Sequence, residues 1–378
     1  MKSLALLLIL TCLAATLIIP EIASGAATSE NTWMTKSSMP SILSDPKAAV
    51  LNSKIYVVGA HAEENVNNSL FEYDPVINNW TVRKSMPSAR YHFAVAAYQN
   101  RMYVIGGSLN ASVDYYDPNA GLSANEVYDP ATDTWESKAS MPTARWGLVA
   151  EMVNGKIYVI GGRTGGAQTS VKVNEVYDPI TDSWTTGLSI LTAVCEPSSA
   201  VVDNRIFVIG GQAEFNDPMN PGLNQIYDPE IATWVQGDRA PNPEWNDASA
   251  GATTGVLAPK MIYVTGGNPG LAPPLDQNYA YIPKEDRWIS AASLPAPKSS
   301  FAVAVVNDLV YVMGGTTVNY GVLTASVEQY TPFGYGTPTE QQQIEPFPTT
   351  LVVAVIGSVA VISVGLLVYF KKHKRNAA

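Results

Sequence analysis

An all-β ring of six four-stranded blades is the fold this sequence predicts, and three repeated signals predict it. The first is an apolar run closing in paired glycines. RMYVIGG ends at Gly107, KIYVIGG at Gly162, RIFVIGG at Gly211, MIYVTGG at Gly267 and LVYVMGG at Gly315, with a weaker copy, KIYVVGA, ending at Ala60. The second is a tryptophan about every fifty residues: Trp33, Trp80, Trp135, Trp184, Trp234 and Trp288. The third is a tyrosine seven residues before all but the first of these, at Tyr73, Tyr128, Tyr177, Tyr227 and Tyr281, within phrases as alike as NEVYDPATDTW and NEVYDPITDSW. From each tryptophan to the next first glycine is 26 residues, or 32 in the fifth unit. Fixed offsets inside a unit of that length mean one structural module used again.

Each module reads as four strands. An apolar strand such as FAVAAY (Phe93 to Tyr98) turns at QNR or NGK into a second, MYVIGG. A loop of variable length leads to the third, NEVYD. The sequence DPATD then makes a turn in which proline sets φ, and the fourth strand carries the tryptophan. Helical periodicity is absent outside the two ends of the chain. The first unit has Trp33 but no YDP before it, and the last has Tyr330 but no tryptophan after it. The N-terminal segment is therefore expected to supply the outer strand of the last blade, closing the ring without a free edge. This assigns residues 29–335 to one six-bladed propeller. Gly106, Gly107, Gly161, Gly162, Gly210, Gly211, Gly266, Gly267, Gly314 and Gly315 are read as scaffold, and so are the six tryptophans. Glycine admits sharp turns and close approach, and wide rings fill the wedge between twisted blades.

The ends read differently. Lys2, an apolar run and the small residues ASGAA resemble a secretory signal peptide over residues 1–26, with an uncleaved anchor as the alternative. Residues 351–370 contain no charge and are long enough to span a bilayer as a transmembrane helix. KKHKR follows within a basic tail, 371–378, expected to stay cytoplasmic. Residues 336–350, rich in Pro, Thr and Gln, form a stalk. A single-pass protein of the cell membrane with its propeller outside is the expectation. The exported part holds one cysteine, Cys195, so no internal disulfide can form. It carries 18 basic and 32 acidic residues, a net charge of −14 that argues against nucleic acid and against close contact with anionic lipid. Asn67, Asn79 and Asn110 lie in N-x-S/T triplets and are candidate glycan acceptors.

Paired glycines after the second strand, tyrosine on the third and tryptophan on the fourth resemble the kelch repeat, over nearly the whole of residues 29 to 335. Ala60, and the YIP and YTP variants at Tyr281 and Tyr330, depart from its pattern. Function is expected where the copies differ, at the start of each innermost strand, because these starts converge on the mouth of the central channel. That places Arg90, Tyr91, His92, Arg145, Trp146, Glu196, Glu244, Trp245 and Lys298 at a candidate ligand site. In some kelch domains that capture acidic peptides, arginines at this strand start make the contacts, and the resemblance carries that role to Arg90 and Arg145; arginine suits a carboxylate through its two-pronged donor geometry. The alternative is that these arginines brace neighbouring strands.

A kelch propeller can also be an enzyme. For galactose-oxidase-like copper chemistry, the two histidines His61 and His92 can bind copper but fall in different structural roles, one after a glycine and one in an inner strand, and no spacing reads as a metal site. A sugar mutarotase or epimerase using acid–base groups at the mouth is the better enzymatic alternative. The expectation is a non-enzymatic surface module, without metal or cofactor, that binds a protein or glycan ligand.

Overall fold

The computed structural model describes residues 29–336 except 60, 63–64, 67, 110–119, 166–169, 213–221, 242–247, 269–272 and 318–321. The expected signal peptide, almost all of the stalk, the apolar span and the basic tail lie outside the described residues, as do Asn67 and Asn110. Among the described residues no helix is long and apolar enough to cross a membrane. Asn79 lies in an outermost strand with its side chain exposed.

Six antiparallel four-stranded sheets form the ring. Blade I begins with its innermost strand, Lys47–Leu51, and the innermost strands of blades II to VI are Ala94–Tyr98, Val149–Val153, Ser198–Val202, Ser249–Ala252 and Ala302–Val306. Each packs beside the next around one axis, and the last beside the first. The outermost strand of blade VI is Thr32–Lys36, which pairs with Val327–Thr331 and sets Trp33 opposite Tyr330. The ring is closed by its own N-terminal segment, as the missing motif halves predicted.

The repeated residues hold each blade to the one before it. All six indole N–H groups donate to a carbonyl in the preceding blade: Trp33 to Ala292, Trp80 to Ser37, Trp135 to Lys84, Trp184 to Ala139, Trp234 to Leu188 and Trp288 to Asp238, at 2.8–3.0 Å. Beside each, a turn residue completes the joint. Asp133 accepts the Tyr128 hydroxyl at 2.7 Å and the Lys84 N–H of the preceding blade at 3.0 Å. Asn78, Asp182, Asp286 and, in blade VI, Asn31 do the same, all with φ near +50°. Asn and Asp tolerate that left-handed backbone. Blade IV breaks the rule with Ala232 at φ 49°.

The core lies between blades rather than within them. Met39, Ile55 and Val57 meet Ala302, Tyr311 and Met313 where blade I touches blade VI, and comparable clusters fill the other joints. The paired glycines let this approach happen. Gly106 has φ +67°, and a Cβ there would lie 2.8 Å from the Arg145 carbonyl oxygen of the next blade. The six extra residues of blade V are shaped by blade VI. The buried Asp308 carboxylate accepts the Val256, Leu257 and Ala258 N–H groups at 3.0, 2.6 and 3.0 Å, together with the Thr254 hydroxyl at 2.7 Å.

Strand direction sorts the two faces. The paired glycines end on the face where the innermost strands start, which is the mouth. Gly336 donates its N–H to the Leu257 carbonyl at 2.7 Å, in the turn between the first two strands of blade V. That turn belongs to the opposite face, where the Thr32–Lys36 strand also begins. Both ends of the propeller therefore leave from the face away from the mouth.

Ala232 offers a test of the joint. Ala232→Asp supplies the acceptor that the other blades have and relieves a left-handed alanine, so it should raise stability by about 1–2 kcal/mol in urea unfolding.

Candidate functional site

Twelve residues after each of Trp33, Trp80, Trp135, Trp184 and Trp288 stand Asp45, His92, Gly147, Glu196 and Ser300, and all five have φ between 50° and 65°. Backbone held in that region by non-glycine residues costs energy and persists only where neighbours over-determine it. Here the neighbours are the other blades. Asp45 N–H donates to the Ser300 carbonyl at 2.7 Å, Gly147 N–H to the His92 carbonyl at 2.8 Å and Glu196 N–H to the Gly147 carbonyl at 2.7 Å. His92 N–H donates to Asp45 Oδ2 at 3.3 Å. The left-handed turn swings the peptide sideways to meet the next blade, and among the described residues a belt of hydrogen bonds runs along the mouth from blade VI through blades I, II and III to blade IV. The sixth member, Asn246, lies outside the described residues, with Glu244 and Trp245.

The belt projects one ion pair. A Cβ on Gly147 would fall 2.3 Å from Cys195 Sγ and 3.2 Å from Glu196 Cγ. Because blade III has no side chain there, His92 of blade II reaches across it to Glu196 of blade IV, Nδ1 to Oε1 at 2.9 Å. His92 Nδ1 is also 3.4 Å from Asp45, whose other oxygen holds Lys47. The imidazole lies over Trp146, centroid to centroid 5.5 Å, and the buried Arg163 guanidinium lies 5.7 Å from the centre of the same indole. Burial alone would lower the His92 pKa, but Glu196 and Asp45 outweigh it and raise it to about 9. Burial alone would raise Glu196, yet His92, with Arg163 and Lys47 behind it, holds the carboxyl below its ordinary value. At neutral pH the mouth carries an imidazolium–carboxylate pair.

Beneath the belt the channel is a cavity of about 390 Å³ lined by alanine and valine together with Ser198, Ser199, Ser249 and Ser300. One carboxyl interrupts that wall. Glu151, on the innermost strand of blade III, accepts the Ser199 hydroxyl of blade IV at 2.6 Å, and burial pushes its pKa up to about 7 against that hydrogen bond.

Of the residues expected at the mouth, His92 and Glu196 line the cavity. Arg90, Arg145 and Lys298 do not, and this corrects the expectation drawn from the resemblance. The two arginines are fully buried and Lys298 nearly so. Arg90 Nη2 donates to Glu126 at 2.6 Å, Arg145 Nη2 to Glu175 at 3.1 Å, and Lys298 to Glu328. Burial lowers Arg145 to about 10 and lowers Arg90 and Lys298 as well, against the pull of their glutamates. Tyr91 and Trp146 are 3% exposed and belong to the packing below the rim.

The pairing was written in the repeat. The second residue of the third strand is glutamate in blades II, III and VI, where the strand start is basic. In blade IV, Val194 accompanies Gln225, whose side chain bonds the Thr192 backbone instead. Comparing the copies at both positions together would have shown that the cations are spoken for. The left-handed backbone of the belt and Glu151 were missed for a different reason: a left-handed turn at His92 or Glu196 has no composition signal, and Glu151 differs from its copies at one position only.

Two measurements follow. Arg90→Ala strands the buried Glu126 carboxylate and should cost about 3–5 kcal/mol in urea unfolding, whereas Arg90→Met with Glu126→Leu should recover most of it. A residue serving only a ligand would leave stability unchanged. His92 has a folded pKa raised from 6.5 to about 9, so its stabilisation is complete below about pH 6.5 and fades as pH rises through about 9. Unfolding free energy measured over that window should fall in the wild type and stay flatter in His92→Gln.

Comparison with known proteins agrees with this architecture. A family model described as the KLHDC2/KLHL20/DRC7 Kelch-repeats domain matches residues 26–162, and the Kelch motif matches 147–187 and 297–332. Kelch-like protein 28 of Mus musculus is 35% identical over 106 residues, 26% of this chain and 18% of that protein. Kelch-like protein 35 of Mus musculus is 28% identical over 211 residues, 56% of this chain and 26% of the relative. The chain thus spans about a quarter or less of the length of these curated relatives. The solved structure described as "Structure of YjhT" superposes with a TM-score of 0.64 at 15% identity, covering 77% of this chain and 95% of that one, a likeness of fold. Residues 26–187 and 297–332 thus match kelch-repeat models, and the described residues fold as a six-bladed β-propeller.

Proposed function

We propose that this chain is an interaction module of the cell surface. Its propeller stands outside the membrane on the 336–350 stalk, held by the 351–370 span, and a protein or glycan partner docks on the mouth face. The observation that carries this is the belt. It spends backbone strain in several blades to fix His92, Glu196 and Asp45 at the rim of the channel, on the face away from both chain ends. A tether leaving from the opposite face leaves the mouth pointing outward. The kelch-like relatives, whose names state no enzymatic activity, fit a binding role.

The neutralised rim changes the partner expected. With Arg90, Arg145 and Lys298 buried against glutamates, the mouth offers no ring of free cations to an acidic peptide. A partner would instead meet an imidazolium, carboxylates and Lys47 together, which suits a ligand bearing donors and acceptors.

A sugar mutarotase or epimerase is the second reading, and one observation favours it. His92 and Glu151 line one cavity and hold their last protons near pH 9 and pH 7, which suits an acid and a base working side by side.

Capture from the surface of intact cells decides between the two. The wild-type chain should retain a partner that His92→Ala with Glu196→Ala loses by tenfold or more, with the unfolding midpoint lowered only slightly. Retained capture removes the mouth from the interface. Protease added outside intact cells should destroy the propeller epitope and spare the 371–378 tail. A panel of sugars followed by NMR tests the enzyme, which requires anomeric or epimer exchange that disappears in Glu151→Gln.

A further inference from the structure

Glu151 occupies a place that the other blades reserve for the smallest side chains. In every blade one residue of the innermost strand stands opposite an aromatic ring on the second strand. The pairs are Ala49 with Tyr56, Ala96 with Tyr103, Ala200 with Phe207, Gly251 with Tyr263 and Ala304 with Tyr311. Blade III has Glu151 with Tyr158. The position is tight, since a Cβ on Gly251 would fall 2.8 Å from Val303 and Val305 of the next blade. A glutamate fits here only by turning its carboxyl along the joint between blades III and IV, where Ser199 meets it and the group lines the channel.

Among the described residues that carboxyl has no counter-charge. The other ionisable groups lining the cavity are Asp45, Lys47, His92 and Glu196, and these four are engaged with one another at the rim. Arg163 lies behind the rim against Trp146 and bears on Glu196. The innermost strands of blades II and IV, on either side of Glu151, contain no charged residue. Among the described residues its hydrogen-bond partner is the Ser199 hydroxyl. An ionised carboxylate held by one hydroxyl on a strand of alanine, valine and methionine is unfavourable until a cation joins it. The net charge of −14 over residues 28–350 draws cations toward it from a distance.

We propose that the channel takes up a primary ammonium group, the tip of a lysine side chain on the docked partner, with the Glu151 carboxylate as counter-charge and the Ser199 hydroxyl as a second contact. This rests on the partner-docking reading above and names the chemistry of its anchor. The slender four-carbon stem of lysine suits a narrow bore whose inner strands carry alanine and valine, and its compact ammonium needs few partners at the end. Arginine would bring a wider planar fork that one carboxylate and one hydroxyl do not fill.

The probe is n-butylammonium, with n-butanol and butyrate as neutral and anionic controls, titrated calorimetrically into the full-length chain. Butylammonium should bind and the two controls should not. Binding forces Glu151 to ionise, so about half a proton should be released per ligand at pH 7, and affinity should rise about tenfold from pH 6 to pH 8. Glu151→Gln should weaken binding at least tenfold while unfolding at or above the wild-type midpoint at pH 8, since it removes a buried charge. Glu151→Ala, matching four other blades, is the second variant should glutamine fail to fold. Butanol binding as tightly as butylammonium, no uptake of butylammonium, or unchanged binding in both variants each overturns the assignment. The docking reading falls separately, on retained capture by the His92 and Glu196 variant.

Discussion

Six wedges fill a circle only if each is fastened to its neighbour, and in this molecule the fastening is a tryptophan. Each indole N–H reaches a carbonyl of the preceding blade, and in five blades an Asx side chain beside it ties a tyrosine hydroxyl to the same neighbour. Hydrophobic burial between blades supplies the larger energy, but burial is indifferent to register. The polar contacts fix how far one sheet slides against the next. They thereby fix where each innermost strand begins, and so where the residues of the mouth stand.

The mouth uses the same economy in a different form. Its belt joins blades through backbone N–H groups that donate to carbonyls and, from His92, to the Asp45 carboxylate, which leaves the side chains of His92 and Glu196 to engage one another or a ligand. Gly147 matters by what it lacks. A side chain there would part His92 from Glu196, so one missing methyl group lets two blades that do not touch share an ion pair.

The scaffold could be read from the sequence because it is written six times. Trp33 and Tyr330 even announced the closure, each lacking the partner that the repeat demands. The site was harder to see, since what makes it a site is difference among copies, and a single difference carries little weight alone. Arg90 and Arg145 looked free because only one side of their pairing was considered. Glu126 and Glu175, thirty or more residues away in the NEVYD phrase, had been set aside as scaffold. His92 and Glu196 were noticed for their chemistry, but the left-handed backbone that aims them comes from contacts between blades that no local window contains.

Closure by the first strand also sets an order of events in synthesis. Asn31 and its partner Tyr330 are 299 residues apart, so the opening segment leaves the ribosome long before the strand that will receive it. At about 5–20 residues per second it waits tens of seconds, with blade VI's outer position unfilled until the end. Until then the nascent chain is an open arc whose exposed strand edges can pair with strangers.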